Sequence, residues 1–463
     1  MKNRVLFSVL LLLIVSYCFT GSYISGQPSS GKGWKAGLAR TVITPKEPMW
    51  MAGYASRDHE SEGVLTDLWI KVLAIQDAKG KKAVLITSDL LGFPAKMSDN
   101  IRNQLAVKYG LTRSQIILSC SHTHTGPVLD GALYDIYPLD AHKREVIRNY
   151  SSNLEKKIVE LTGEALSKMA PAKIFSQNGV TRFQVNRRNN TEATINQAND
   201  LKGPNDYAVP VLKVTDRENN LIAVAFGYSC HATVLNFYLY SGDYPGFAQL
   251  ELEKLYPSTT AMFFQGAGAD QNPLPRRTVP LAKQYGKELA AAVDRVLNED
   301  MKELEPSLST AYSEVDLKFA APPSKEELIK IENEAKGFEK SWATNQLKYL
   351  KNNGHLLSSY PYPLQVWKLG DQPIMSFGGE LVVEYALEMK KIFGPETFII
   401  GYANEDMAYI PSETILQEGG YEGESSMRVY GLPGKWETGI EASIINEMKR
   451  LAAKAGVKEV AAK

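Results

Sequence analysis

Two of the six histidines in the chain stand two residues apart, His122 and His124, in the stretch Ser-Cys-Ser-His-Thr-His-Thr-Gly-Pro at 119–127. They follow an apolar run at 116–118 that predicts a short buried strand. Because alternate residues of a strand face the same side, both imidazoles are predicted to face one cavity. Imidazole suits zinc, and a catalytic zinc leaves a position open for water. The pair therefore suggests one metal ligand with a proton carrier beside it, although an isolated His-x-His pair is more often solvated or hydrogen-bonded.

Other polar residues also follow apolar runs that read as strands. These are Asp89, His231, Asp270, Glu380 and Tyr409. Sheet ends are where loops bring polar groups together. A metal held there lowers the pKa of bound water toward neutrality, which is the chemistry of a metal-dependent hydrolase. Asp89 and Asp270 would either orient ligating histidines or cap loops, and we expect at least one to orient a histidine.

The elements that must position these residues alternate along the chain between strand-like and helix-like patterns. Strands are predicted at 82–87, 116–119, 206–214, 221–228, 261–264, 373–377 and 397–400, and helices at 98–109, 146–169, 279–297, 324–350 and 382–392. The helix at 324 is predicted to open with a capping box. The pattern favours an α/β or mixed α+β class, with a mixed central β-sheet and flanking helices in a single large domain at 33–463.

Composition narrows the range of functions. The 463 residues include 52 basic and 52 acidic side chains, so the formal net charge is zero, which argues against a nucleic-acid partner. Cys120 and Cys230 are too few for a disulfide framework, and Cys120 reads as a small buried residue. His59, His142 and His355 stand in polar or irregular stretches and are predicted to be exposed.

The N-terminal segment 1–26 has a basic start, an apolar run of about fifteen residues and a small polar end. That run is shorter than the roughly twenty residues of a transmembrane helix. The segment is therefore predicted to be a signal peptide, and the protein to be exported, either secreted or periplasmic. The bulky Tyr17 before Cys18 makes lipoprotein anchoring the weaker interpretation.

A resemblance then appears in the motifs. Ser-His-Thr-His-Thr-Gly-Pro at 121–127 resembles the Thr-His-Thr-His-Ser-Gly-Pro signature of the neutral (non-lysosomal) ceramidase family. Other motifs similar to those of the family follow in the same order, at 36–45 with 51–54, 229–233, 241–246, 378–380, and 401–413 with 421–423. Each motif is modest by itself, but their order over nearly the whole predicted mature chain is specific.

The resemblance implies one zinc ion held by His122, His231, Glu380 and Tyr409. It also implies that His124 handles protons and that Arg187 and Tyr421 sit at the substrate, with Arg188 an equally plausible neighbour. Together with Asp270, these residues complete the predicted catalytic set of His124, Arg187, Asp270 and Tyr421. The implied reaction is attack of zinc-bound hydroxide on the amide of an N-acyl lipid, which converts ceramide to a fatty acid and a sphingoid base.

Two departures from the family pattern bear on the substrate. Gln271 stands where the family has a serine, and Gly378 replaces the proline of Pro-Gly-Glu. The C-terminal β-sandwich of the family is not expected here. Two alternatives therefore stay open: the same zinc site acting on an ester, a glycosidic bond or a polar amide conjugate, and a degenerate, non-catalytic binding protein. The expected partner is a small-molecule or lipid substrate, with peripheral contact to membrane lipid as a further expectation.

Overall fold

The structure is a computed structural model, and it describes residues 33–461. The predicted signal peptide at 1–26 lies outside the described residues. The strands are β1 (Trp34–Val42), β2 (Gly63–Val64), β3 (Trp69–Gln76), β4 (Lys82–Ser88), β5 (Ile116–Cys120), β6 (Ala170–Val180), β7 (Gln184–Asn186), β8 (Ala208–Asp216), β9 (Leu221–Tyr228), β10 (Leu239–Tyr240), β11 (Thr260–Gln265), β12 (Gln271–Pro273), β13 (Lys302–Glu303), β14 (Leu308–Lys318), β15 (Ser359–Leu369), β16 (Gln372–Phe377), β17 (Glu380–Leu381), β18 (Phe398–Ile400) and β19 (Tyr409–Ile410). The α-helices are α1 (Ala95–Tyr109), α2 (Ala141–Ser167), α3 (Asp243–Leu255), α4 (Val279–Leu297), α5 (Lys325–Glu334), α6 (Gly337–Asn353), α7 (Val383–Phe393), α8 (Glu413–Glu418), α9 (Ser426–Val429) and α10 (Ile440–Ala455).

The larger sheet is mixed, as the alternating pattern predicts. Its strands run in the order β11-β9-β8-β6-β1-β3-β4-β5, and β13 pairs with β6. The pairs β9–β11 and β4–β5 are parallel, and the other pairs along this path are antiparallel. Parallel pairs need crossover connections, which α1 and α3 provide.

The smaller sheet, in the order β14-β15-β16-β18, packs face to face on the larger one. Leu73 and Ile117 of the larger sheet meet Trp367 and Ile400 of the smaller sheet in a shared apolar layer. Helices α1 to α4 cover the outer face of the larger sheet, and α7 and α10 cover the outer face of the smaller one. Strands buried on both faces therefore read as continuous apolar runs, which is why 116–118 shows no alternation.

The two edge strands of the larger sheet approach each other, since β11 contacts both β5 and β4. The chain that leaves β18 runs between these edges. Its Gly401 N–H donates to the Gln265 carbonyl of β11 at 3.0 Å, and its Asn404 N–H donates to the Leu118 carbonyl of β5 at 2.6 Å. The ends of β5, β11 and β18 are thereby brought to one place, although they are far apart in sequence.

Most predicted elements are confirmed, and the helix 279–297 has the predicted bounds. Predicted helix starts at 98 and 146 lie within helices that begin earlier, at Ala95 and Ala141. The single helix predicted at 324–350 is wrong. Its capping box is present, but Ala335 is extended and Gly337 has φ of 60°, so the chain forms two helices, α5 and α6.

Two smaller predictions also have outcomes. Cys120 and Cys230 are buried free thiols, and His59, His142 and His355 are exposed. Among the described residues, we find no helix with both the length and the apolarity that crossing a membrane requires.

Candidate functional site

His122 lies just beyond β5 and is buried. Strand β5 ends at Cys120, and His122 has φ of 54°, in the left-handed region that a β-strand does not use. The predicted strand alternation is therefore not what directs this side chain. Its Nδ1 donates to the Leu91 carbonyl at 2.7 Å, which leaves Nε2 as the free nitrogen facing the site.

His231 is held in the same manner at the end of β9. Its Nδ1 donates to the Gly268 carbonyl at 2.7 Å, and its backbone N–H donates to the Gln271 carbonyl at 3.0 Å. The imidazole is 1% exposed, and its ring lies edge-on to that of His122 with centroids 4.9 Å apart. Both predicted histidine ligands thus present Nε2 to one point.

Glu380 and Tyr409 reach this point from a separate two-stranded sheet, β17–β19. They are direct partners in the parallel pair β17–β19, so a carboxylate and a phenol stand side by side. Glu380 Oε1 accepts from the Tyr430 hydroxyl, and its Oε2 is buried without a hydrogen-bond donor other than the imidazoles. Tyr430 is a neighbour that the sequence motifs did not identify.

The separations between these atoms match one metal ion. Glu380 Oε2 lies 3.0 Å from His231 Nε2 and 3.4 Å from His122 Nε2, and the Tyr409 hydroxyl lies 3.5 Å from His231 Nε2. Ligands around a tetrahedral zinc with bonds of about 2.0 Å stand roughly 3.3 Å apart. The residues present therefore fit a zinc ion, with Glu380 Oε2 facing the Nε2 atoms of both imidazoles.

The pKa shifts of Glu380 and the two histidines also favour a positive charge at this point. Burial by itself raises the pKa of Glu380, but the His122 charge and hydrogen bonds from both imidazoles hold it well below its usual value. Burial lowers the pKa of His122, yet Glu380 and Asp406 raise it well above the ordinary histidine value. Burial lowers the pKa of His231 to about 4. The site thus stabilises one positive charge next to Glu380.

His124 lies beside the predicted ligands. Its Nε2 is 3.2 Å from His122 Nε2, and its Nδ1 is buried without a partner. Burial and the neighbouring His122 and His231 charges keep the pKa of His124 well below its usual value, so the imidazole is neutral. Gly53 leaves room for this ring, since a Cβ at Gly53, whose φ is 95°, would lie 2.4 Å from Nδ1.

Arg187 and Arg188 differ in the residues that they contact. Arg187 Nη2 donates to the Tyr409 hydroxyl at 3.2 Å, and its Nε donates to Glu422 at 2.7 Å. Arg188 instead binds Glu422 and Glu418, away from Tyr409. Of the two arginines, Arg187 is the one brought into the site.

Tyr421 is 44% exposed and lies edge-on against Tyr409, with ring centroids 5.2 Å apart. It also lines a groove of about 1070 Å³ between the α5–α6 pair and the segment 420–435. Apolar side chains in this groove include Ile331, Phe338 and Val429, and charged residues such as Lys330 and Glu334 stand among them. Tyr421 therefore joins the groove to the predicted metal ligands.

The expectation that Asp89 or Asp270 orients a histidine is not met. Asp89 accepts from the Trp69 N–H at 3.0 Å and from Gln249, whereas Asp270 accepts from the Val383 N–H at 2.9 Å and from Asn186. Backbone carbonyls orient the histidines instead. Asp270 ties the end of β11 to the chain after Glu380, so it supports the site through the backbone.

Gln271, at the position of the family serine, is fully buried in β12. Its side-chain amide donates to the Pro204 carbonyl at 3.2 Å, and its Oε1 has no partner. Strand β12 pairs with β7 so that Gln271 lies opposite Asn186, next to Arg187. The glutamine therefore lies between the backbone of Arg187 and that of His231.

Comparison with known proteins agrees with the motifs. The sequence model of the N-terminal region of neutral/alkaline non-lysosomal ceramidases matches residues 34–272. The neutral ceramidase of Drosophila pseudoobscura pseudoobscura is 26% identical over 239 residues, and that of Drosophila melanogaster is 26% identical over 238 residues. Each alignment covers 48% of this chain and 32% of the relative, so the match spans about a third of the length of these relatives.

Solved structures extend the likeness in fold to the later half of the chain. A crystal structure of neutral ceramidase from Pseudomonas aeruginosa superposes with a TM-score of 0.71 at 17% identity, covering 93% of this chain and 76% of that one. A ceramidase complexed with C2 gives a TM-score of 0.71 at 16% identity, with 93% and 77% covered. The resemblance inferred from the motifs is confirmed: the chain belongs to the neutral/alkaline non-lysosomal ceramidase family.

Proposed function

We propose that this protein is a zinc-dependent hydrolase that cleaves the amide bond of an N-acyl lipid, with ceramide converted to a fatty acid and a sphingoid base. The observation that carries the proposal is the convergence of His122 Nε2, His231 Nε2, Glu380 Oε2 and the Tyr409 hydroxyl within 3.0–3.5 Å of a neighbour in the set. These four residues would hold the ion. Bound zinc would polarise the scissile carbonyl and make water acidic enough to act as a nucleophile near neutral pH.

The residues around the ligands have distinct roles in this scheme. The Leu91 and Gly268 carbonyls accept from Nδ1 of His122 and His231, so that each ring turns Nε2 toward the ion site. His124, beside His122, takes the proton from the attacking water and returns it to the leaving amine. Its lowered pKa and its buried Nδ1, which has no partner among the described residues, support this role.

Arg187 and Tyr421 would act on the substrate side. The Arg187 guanidinium contacts the Tyr409 hydroxyl and lies 5.8 Å from the Tyr421 ring centroid, so it places positive charge where the carbonyl oxygen becomes negative. Tyr421 is exposed enough for its hydroxyl to donate to that oxygen. The groove that Tyr421 lines supports a substrate that carries an aliphatic chain.

Gln271 supports the second candidate, a more polar substrate for the same zinc site. A glutamine in place of a serine adds a buried amide oxygen, Oε1, that has no partner among the described residues and can accept from a donor. An ester, glycosidic bond or polar amide conjugate would then replace ceramide. The presence of all four predicted ligands is evidence against the third candidate, a decayed binding protein.

The deciding experiment is hydrolysis of a fluorescent short-chain ceramide by the purified protein, with zinc content measured in the same sample. His122→Ala serves as the control for the metal site. Gln271→Ser tests whether the glutamine at this position excludes ceramide. Zinc-dependent fatty-acid release that His122→Ala abolishes would support the ceramidase proposal. Stoichiometric zinc without ceramide turnover in wild type, but with turnover in Gln271→Ser, would favour the polar substrate.

We also propose that the protein is exported by the segment 1–26, on the strength of its signal-peptide pattern. N-terminal sequencing of protein recovered outside the cytoplasm would test this proposal. Recovery of the uncleaved chain from the cytoplasm alone would contradict it.

A further inference from the structure

Asp406 is a buried carboxylate on the far side of His122, and none of the sequence motifs singled it out. Its side chain is 3% exposed, and Oδ2 lies 3.5 Å from His122 Nδ1. Its backbone N–H donates to the Phe93 carbonyl at 3.0 Å, which fixes the chain that carries it. A buried carboxylate is expensive unless a cation or donor faces it, and here the nearest cationic group is His122.

Asp406 does not belong to the ring of ligands around Glu380. The two nitrogens of an imidazole point in different directions, and Glu380 lies against Nε2 while Asp406 lies against Nδ1. Possible ligand atoms of Asp406, His122 and Glu380 all lie within 4.8 Å of one another, but Asp406 Oδ2 stands on the Nδ1 side of the ring, away from an ion bound at Nε2. The carboxylate instead stands where it can attract the Nδ1 proton, which also bonds to the Leu91 carbonyl.

The surroundings leave space for this carboxylate. A Cβ at Gly92 would lie 2.3 Å from Asp406 Cβ and 2.6 Å from Oδ2, so a larger residue there would displace the side chain. Asp406 Oδ1 has no hydrogen-bond partner, and Asp406 lines a cavity of about 190 Å³ together with Tyr430 and Leu91. The carboxylate is thus held against His122 on one side and meets a cavity on the other.

We propose that Asp406 is a positioning residue for the metal centre, which holds His122 through Nδ1–H and makes Nε2 a stronger ligand. The inference rests on the proposed zinc function. Among residues 33–461, no carboxylate forms an ion pair with His231 Nδ1, which bonds to the Gly268 carbonyl. The two histidines therefore differ: His122 has a backbone carbonyl and a carboxylate, and His231 has the carbonyl. Outer partners of metal-bound histidines raise ligand basicity and commonly contribute 10–100-fold to metal affinity.

The test measures zinc affinity by chelator competition, independently of any substrate, for wild type, Asp406→Asn and Gly92→Ala. Asp406→Asn removes the charge and keeps the size, whereas Gly92→Ala displaces the carboxylate and keeps its charge. The matched control is Asp89→Asn, because Asp89 is a buried carboxylate at the end of the neighbouring strand β4 that contacts Trp69 and Gln249 and no histidine. Unfolding temperatures of the zinc-free proteins separate a loss of stability from a loss of affinity.

We expect zinc affinity to fall roughly tenfold or more in Asp406→Asn and in Gly92→Ala, and to stay at the wild-type value in Asp89→Asn. Wild-type affinity in Asp406→Asn, or an equal loss in Asp89→Asn, would overturn the role of Asp406. Tight zinc binding without ceramide hydrolysis in wild type would count against the proposed substrate while leaving this inference standing. Absence of zinc binding in wild type would overturn both.

Discussion

The larger sheet and the two-stranded β17–β19 sheet supply the site in different ways. The histidines from the larger sheet, His122 and His231, are each bonded to a main-chain carbonyl close to the strand ends, Leu91 and Gly268. Glu380 and Tyr409 from the β17–β19 sheet are fixed by side chains instead. Tyr430 donates to Glu380, and Arg187 donates to Tyr409.

This difference indicates which ligands keep their orientation when other side chains are substituted. A main-chain carbonyl survives almost any substitution that leaves the backbone in place, so the orientation of His231 depends on the fold, whereas that of His122 also depends on Asp406 in our proposal. The carboxylate and the phenol depend on two particular side chains, and a single substitution can release either. Apart from Asp406, the β17–β19 sheet is therefore where substitutions are expected to change the site, and the larger sheet is where the backbone fixes it.

The largest effect should come from removing a ligand of the larger sheet. His231→Ala is expected to abolish stoichiometric zinc and to lower kcat/KM for short-chain ceramide at least about a thousandfold, because the metal supplies several kcal/mol to the transition state. His355→Ala, an exposed histidine, is the control and should behave as wild type. A His231→Ala protein with full zinc and near-normal turnover would remove His231 from the ligand set.

Next in size is loss of the side chain that supports Tyr409. Arg187→Ala is expected to lower kcat roughly a hundredfold, since it removes a donor near the developing oxyanion and a contact to the phenol. Arg188→Ala is the matched control and should cost less than about tenfold, because Arg188 does not contact Tyr409 and its pair with Glu418 is partly exposed. Steady-state kinetics of both variants tests this prediction. Equal losses of kcat would show that Arg187 and Arg188 do not differ in their contribution to catalysis.

A smaller effect is expected at Tyr430. Tyr430→Phe deletes the donor to Glu380 Oε1, which should weaken zinc binding roughly tenfold in chelator competition while leaving the fold intact. Tyr385→Phe is a suitable control, since its buried hydroxyl donates to the Pro411 carbonyl instead. If both variants bind zinc as wild type does, Glu380 does not need its side-chain support and the contrast between the sheets fails.

The smallest change concerns stability alone and involves Glu405, next to Asp406 in the chain after β18. Burial, and then the charge of Asp99, raise the pKa of Glu405 to about 8, whereas imidazoles lower the pKa of Glu380. Between about pH 4.5 and 8 the folded state keeps a proton that the unfolded chain has lost, so stability falls as pH rises through this window.

Glu405→Gln removes that dependence and should stabilise the protein by on the order of 1 kcal/mol at pH 7, with a gain that shrinks toward pH 5. Urea unfolding of both proteins at pH 5, 6.5 and 8 measures the effect. A gain that grows as pH falls would show that the assigned shift has the wrong sign. Zinc affinity serves as the control and should not change.

Several site residues were predictable because their signals are local. His122 and His231 follow apolar runs, and the capping signals of α4 and α5 lie within a few residues of each other. Asp406 and Tyr430 were not predictable in this way. Neither stands in a recognisable spacing, and each acquires its role from a neighbour in another element. The α5–α6 break was missed because Ala335 to Gly337 carries little signal beyond one glycine.

The sequence by itself determined the kinds of residue at the strand ends, the mixed α/β class and the family to which the chain belongs, since all three depend on short-range order along the chain. The tertiary structure alone decided which polar residues meet. The approach of β5 to β11, with 401–404 bonded between them, brings His122, His231 and Glu380 together and leaves Asp89 aside. The physical reason is that the face-to-face packing of the sheets depends on the burial of many apolar side chains, each of which contributes a small free energy. These side chains are spread over the whole chain, so no short stretch of sequence encodes the packing.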